Sequence, residues 1–308
     1  MDGNQQEQRF VAAAADTELE IMATKIHELP VLPQVLVRLL QLDPASDDFF
    51  DEFGRLAKED PGFAVKVIAL ANSAASAPAA PITTIKDALT RMGAQPIRSM
   101  VASLAVQRVF MPSKPNEIAL WEHSVFAAFA CAQIAEIVPS IEIDPAEAYL
   151  VGLLHDIGRF VMFEHAAPHL LEVDESNWST ADELIEADVA VYNYTHAELG
   201  YRACEHWRLP ESICDVIQLH HMPVDSEIVP GSINAMLFCI QVADNLCLAL
   251  LQREDFADIS PEEREQIITS DVLKTDRNIK TLPPEMLTFH ANKIHADGRD
   301  LLAGLGLT

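Results

Sequence analysis

The stretch Leu150–Phe160, LVGLLHDIGRF, constrains this chain more than any other, because it sets His155 beside Asp156 in a segment that is apolar on every side. From Tyr149 to Met162 no polar face is left, so a helix here belongs in the middle of a domain. Asp144 as cap, Pro145 at the first helical position and Glu147 three residues after the cap predict a helix over 145–164. Burying a carboxylate and an imidazole there costs several kcal/mol unless a cation or hydrogen bonds compensate. A divalent metal is the strongest candidate for that partner.

Adjacent helical residues project roughly 100° apart, so other elements must complete any coordination that His155 and Asp156 begin. His123 sits between Trp121 and Phe126, His196 follows Thr195, the doublet His220–His221 follows a helix that starts after Pro210, and Asp244 interrupts the apolar run 235–251. Taken singly, each has an ordinary explanation as a hydrogen-bonded core residue or a cap. Together His123, His155, Asp156, His196, His220, His221 and Asp244 form a set of seven ligand types at apolar edges, which independent accidents explain poorly. Mixed imidazole and carboxylate donors suit one or two divalent transition metal ions, Fe, Mn, Ni or Zn, better than Ca or Mg. Thr195 with Glu198 predicts a capping box that puts His196 in the first helical turn, where the positive helix end disfavours imidazolium and leaves a neutral ring. On a regular helix His220 and His221 cannot both face one core, so one is expected across a cleft, on a second ion, or exposed.

The pattern H…HD…D, with its HD embedded as LLHDIG, resembles the HD-domain superfamily of metal-dependent phosphohydrolases, and the fuller arrangement resembles the HDOD family of regulatory output domains. Leu29–Pro33, Glu59–Pro61, Leu70–Ala74 and Ile82–Ala88 are similar to the HDOD front half. Trp121–His123, Gly152–Gly158, Thr195–Gly200, Trp207–Glu211 and His220–Pro223 are similar to its HD half, so about residues 20 to 250 are covered. The resemblance implies an all-α fold in which an N-terminal helical subdomain packs on an HD-like helical bundle. It also implies a regulatory role or, as the alternative, hydrolysis of a nucleotide or small phosphoester. In a hydrolase Asp156 is the central catalytic carboxylate, bridging two ions about 3.5–4 Å apart. His123, His155 and Asp244 would then serve one ion, and His196, His220 and His221 the other. Arg159 would meet a substrate phosphate, unless it is a surface or carboxylate-paired arginine. The HD-GYP phosphodiesterases that open cyclic di-GMP carry Gly-Tyr-Pro after the His pair and Lys after HDIG. Here Met222–Pro223–Val224 and Arg159 stand instead, which disfavours that substrate.

A formal net charge of −26, with lysines and arginines scattered singly, argues against nucleic acid as a partner, since a phosphate backbone would be repelled. The run Gly231–Leu251 is long enough for a membrane span, but Asn234, Gln241, Asp244 and Asn245 interrupt it, so it reads as a buried helix and no membrane association is expected. Five cysteines without a C-x-x-C pair suggest a reducing, cytoplasmic compartment.

In chain order, residues 1–12 read as disordered, 13–112 as the front helical subdomain, 113–252 as the metal-site subdomain and 253–308 as helices packing on the bundle. Helices are expected at 17–28, 34–42, 47–58, 62–71, 84–92, 96–110, 117–137, 181–191, 211–221 and 284–302, with Gly298 as a point of interruption in the last. Asn72 is expected to cap or bridge backbone, and 75–81 to form a loop. His165 and His169, flanking Pro168, read as surface histidines in a loop, and His290 and His295 as solvated. No period-two pattern persists, which leaves an all-α chain. A regulator of this bacterial type would act through signalling partners in trans or through a small phosphorylated ligand.

Overall fold

The structure is a computed structural model that describes residues 18–28, 46, 48–49, 51, 53–55, 65, 67–69, 71–72, 81–175, 181–222, 231–252, 256, 259–273 and 282–307. Every regular element among them is helical, and no strand occurs among the described residues, so the fold is all-α. The expected helix 34–42, the motifs at 29–33 and 59–61, the disordered 1–12 and the loop 75–80 lie outside the described residues.

The chain divides into two compact units, each discontinuous in sequence: residues 1–31 with 154–237, and residues 32–153 with 238–308. The second unit contains α1 (Ile85–Met92), α2 (Ala94–Val109), α3 (Pro115–Ile137) and α4 (Pro145–Leu154). The first unit contains a helix at 18–26 and then α5 (Ile157–Glu175), α6 (Ala181–Tyr192), α7 (His196–His206) and α8 (Glu211–Leu219). The second unit resumes at Phe238, within α9 (Gly231–Gln252), and continues with α10 (Pro261–Ile267), a π turn at Ile268–Val272 and α11 (Pro284–Leu305).

Local chemistry sets most of these boundaries. Thr84 caps α1 by accepting from Asp87 N–H, and Ser260 caps α10 by accepting from Glu263 N–H. Asp144 accepts from Ala146 N–H at 2.9 Å at the start of α4 and also meets Arg98 at 3.3 Å. Thr195 and Glu198 form the full capping box of α7. Asn72 donates to the carbonyls of Ile68 and Ile82 and accepts from Ile82 N–H, all at 2.8 Å, so it bridges backbone as its position after an apolar helix suggested.

In the second unit α11 packs along α3, and the meeting point is Gly298. A Cβ there would fall 2.2 Å from the Phe126 ring. Gly298 therefore does not interrupt α11, which runs unbroken to Leu305; the missing side chain admits an aromatic ring. His295, expected to be solvated, is half-buried and stacks on Phe126 with ring centres 5.4 Å apart. A second close approach joins α3 and α4, where a Cβ on Gly152 would lie 2.6 Å from the Ala127 carbonyl oxygen. Polar ties seal the unit: Ser103 shares a 2.9 Å hydrogen bond with the Tyr149 hydroxyl, and Trp121 donates to the Phe110 carbonyl at 3.1 Å. Two helices, α3 and residues 233–251, are long and apolar enough to cross a membrane by length and composition, and both are mostly buried within this fold.

In the first unit α7 packs on both α5 and α8, and α6 packs on α5. The helix at 18–26 is tied to this group by Asn193 donating to Glu18 at 2.7 Å and by Arg202 meeting Glu20 at 3.4 Å. The helix α5 continues to Glu175, so 165–169 is helical rather than the expected loop around Pro168.

Candidate metal centre

The apolar stretch is two helices rather than one. The expected helix 145–164 breaks at His155 and Asp156, with α4 ending at Leu154 and α5 beginning at Ile157. Arg159 N–H bonds the Asp156 carbonyl at 2.9 Å and closes the turn. Outside a regular helix the two side chains escape the angular spacing that would hold them apart, and the Asp156 carboxylate turns toward the rings around it. Gly158 makes the seating possible: a Cβ there would meet the His196 carbonyl oxygen at 1.9 Å, so only glycine lets the start of α5 lie against the first turn of α7.

Asp156 directs its two oxygens at different rings. Oδ1 lies 3.3 Å from His196 Nε2 and 3.9 Å from His220 Nε2, whereas Oδ2 lies 3.5 Å from His155 Nε2. His155, His196 and His220 are 1%, 0% and 2% exposed, and Asp156 is 7% exposed. His221 joins the same group, with its Nε2 at 2.9 Å from His196 Nε2, and His220 Nε2 stands 3.3 Å from that atom. The expectation that His220 and His221 diverge is corrected here. The helix α8 stops at Leu219, and the following residues form a turn, so consecutive rings can face one point.

Hydrogen bonds on the far side of the rings decide what those nitrogens carry. His196 Nδ1 meets Asp188 Oδ2 at 2.5 Å, and the backbone N–H of His196 donates to the same oxygen at 3.0 Å. A carboxylate accepts only, so Nδ1 holds the proton and Nε2 presents a lone pair. His220 Nδ1 donates to the Ile217 carbonyl at 2.6 Å and likewise leaves Nε2 bare. Two lone pairs then face each other across 3.3 Å, beside a carboxylate oxygen. These acceptors converge on one point, where His221 Nε2, 2.9 Å from His196 Nε2, can donate to His196 or a cation can take the donors together. Protons are poor candidates for that cation. Burial, with the His196 and His155 rings adding to it, pushes His220 down to about 3, and burial followed by the His220 and His196 rings pushes His221 down as well.

Asp188 was not singled out in the sequence, where α6 reads as an acidic helix. It is fully buried, on the stripe that also carries buried Leu184 and Tyr192. An acid at a position spaced for the apolar face was the available signal. Arg159 is 6% exposed, which rules out the surface reading of that residue. In the second unit His123 Nε2 and Asp244 Oδ1 pair at 3.1 Å, both partly buried. Among the described residues, His196, His220 and His221 therefore form a group whose ligand atoms all lie within 4.8 Å of one another. An imidazole trio with an adjacent carboxylate fits a divalent transition metal.

Residues 29–223 match the family model of the HDOD domain. An uncharacterized protein of Treponema pallidum (strain Nichols) is 24% identical over 201 residues, a match that spans 65% of this chain and 39% of that protein. Among solved structures, an HDOD domain protein of unknown function from Geobacter sulfurreducens is similar with a TM-score of 0.70 and 23% identity, covering 94% of this chain and 98% of that one. A candidate phosphohydrolase from Shewanella amazonensis SB2B is similar with a TM-score of 0.67 and 21% identity, covering 93% and 98%. A candidate signal transduction protein from Marinobacter aquaeolei VT8 reaches 0.68 at 20% identity, covering 94% and 66%. At these identities the likeness is one of fold.

Proposed function

From the premise that this chain belongs to the HDOD domain family, we propose that it is a signal-transduction module built around a divalent transition metal held by His155, Asp156, His196, His220 and His221. His123 and Asp244, which the resemblance also implies as ligands, pair with each other at 3.1 Å in the second unit. One observation carries the reading: the facing Nε2 atoms of His196 and His220, each with its Nδ1 proton committed elsewhere. Bound metal would fix α5, α7 and α8 to one another, because its ligands come from the starts of α5 and α7 and the end of α8. On this reading the chain works in the cytoplasm, through signalling proteins in trans or a small phosphorylated ligand, and its five buried free thiols support a reducing compartment.

A second reading, hydrolysis of a phosphoester, is favoured by the carboxylate of Asp156. Its two oxygens address separate imidazoles, as a bridging ligand between two ions would, and the buried Arg159 follows three residues later. A bound ion would polarise a phosphoryl oxygen and supply hydroxide near neutral pH. Asp156 would orient that ion, and Arg159 would hold the phosphate.

One experiment separates the two. Protein purified without chelator is subjected to elemental analysis and then to phosphoesterase assays with added Mn or Fe. Bound metal that His196→Ala removes, with no turnover over a broad substrate panel, supports the module. Turnover that Asp156→Ala abolishes supports the enzyme, and protein that takes up no divalent metal overturns both.

A further inference from the structure

We infer that a cavity in the second unit binds a small organic cation, an ammonium group carried on an apolar body. The cavity measures about 570 Å³ and is bounded by α1, α2, α3, α4 and α11, so it lies wholly within that unit, and none of the candidate metal ligands lines it. Its volume falls inside the range of about 300–1,000 Å³ typical of small-molecule sites. The buried part of the lining is apolar: Met100, Tyr149, Ile294 and Leu301 are each 3% exposed or less. Phe129 stands edge-on to Tyr149, with ring centres 5.3 Å apart, so two aromatic rings form one wall. The Tyr149 hydroxyl is held by Ser103 at 2.9 Å, and burial keeps it protonated, so it adds no charge of its own.

The rim carries the charge, and its sign selects the ligand. Glu136 on α3 with Asp297 and Asp300 on α11 place three carboxylates there against two cations, Arg91 on α1 and Lys293 on α11. Lys293 already meets Asp297 at 2.6 Å. Gln133, 7% exposed, donates its amide N–H to Glu136 at 3.2 Å and so holds that carboxylate at the edge of the cavity. Carboxylates beside two aromatic rings attract an ammonium both by charge and through the ring faces, and the chain's net charge of −26 adds to the field. An anion is poorly served, because the first turns of α2 and α4 reach the cavity through Pro96 and Pro145, which have no N–H to offer it. A bound cation would tie α11 to α3 and α4, giving the second unit a ligand response of its own whichever reading of the metal centre holds.

The full chain is titrated by calorimetry and ligand-observed NMR with three probes that share an indole body: the cation tryptamine, the neutral tryptophol and the anion indolepropionate. Tryptamine should bind about tenfold tighter than either of the others, and Glu136→Gln combined with Asp300→Asn should remove about tenfold of its affinity while leaving tryptophol unaffected. Ala132→Phe, which fills the cavity from α3, should abolish binding of tryptamine. Glu136 is exposed, so the charge-removing variants keep the test intact even where Ala132→Phe fails to fold. Metal uptake by the same variants should match the unaltered chain, which separates this site from the metal centre. Tryptophol or indolepropionate binding as tightly as tryptamine, tryptamine binding that survives all of these substitutions, or no binding of tryptamine at millimolar concentration overturns the proposal.

Discussion

Asp188 accepts two hydrogen bonds from His196 through a single oxygen, one from the backbone N–H at 3.0 Å and one from Nδ1 at 2.5 Å. Backbone and ring are thus fixed by the same carboxylate, which sets both where His196 sits and which nitrogen it offers. Replacing Asp188 with Asn weakens the acceptor and frees the tautomer. Outer partners of metal-binding histidines are typically worth about 10–100-fold in affinity. Competition titration with a metal-binding dye should show a loss of that order in Asp188→Asn with helix content unchanged; an unaltered affinity would remove Asp188 from the account of the site.

Gly158 leads to a prediction about stability. An added methyl would fall 1.9 Å from the His196 carbonyl oxygen, and backbone on both sides leaves nothing flexible to yield. Gly158→Ala should cost about 1–3 kcal/mol or more, the range for overpacking a close contact, and should displace His196. Gly54, helical with nothing within 4 Å of its would-be Cβ, is the matched control. Gly54→Ala should be neutral or stabilising by up to about 1 kcal/mol. Urea unfolding of the two variants that ranks them in the opposite order would refute this packing argument.

Acid should destabilise the metal-free protein over a defined window. His220 is held at about 3 in the folded state, chiefly by burial, against an unfolded value near 6.5. Between those values the unfolded chain binds the extra proton, so stability is fully present above about 6.5 and falls as pH drops toward 3, with a slope of up to about 1.4 kcal/mol per pH unit for each such histidine. His221 is shifted in the same direction and adds to the effect. Denaturation midpoints measured in chelator from pH 7.5 to 4.5 should decline, and His220→Gln should flatten the decline. A midpoint independent of pH would contradict the buried neutral cluster.

The Thr195 cap connects helix stability to the site. Its hydroxyl accepts from Glu198 N–H at 3.1 Å, while Glu198 Oε2 accepts from Thr195 N–H at 2.8 Å, and His196 is the next residue. Thr195→Ala should lower stability by about 1 kcal/mol and, on the proposed metal reading, also weaken metal binding, because the first turn of α7 carries the candidate ligand His196. Thr195→Ser, which keeps the acceptor, should restore both. Loss of stability without any change in metal affinity would separate the cap from the site.

Much of the helix pattern was legible because its signals are local. Asp144 and Thr195 with Glu198 each mark a start through a side chain reaching its own next turn, and the structure uses both. Gly298 was harder to read. A glycine in a helix looks like an interruption until the Phe126 ring beneath it is known, and that ring is distant in sequence.

The sequence by itself determined that the chain is all-α and that it belongs among HDOD proteins, and it singled out His123, His155, Asp156, His196, His220, His221 and Asp244 as the candidate ligand set. Helix caps and apolar spacing act within a turn or two, so one chain read in order exposes them. Only the tertiary structure decided that the HD pair occupies a break between helices, that His220 and His221 turn to the same point, and that Asp188 stands behind His196. Those outcomes depend on which backbones approach closely enough to exclude a methyl group and on which buried donors must find acceptors. Both are properties of packed neighbours that the linear order of residues does not contain.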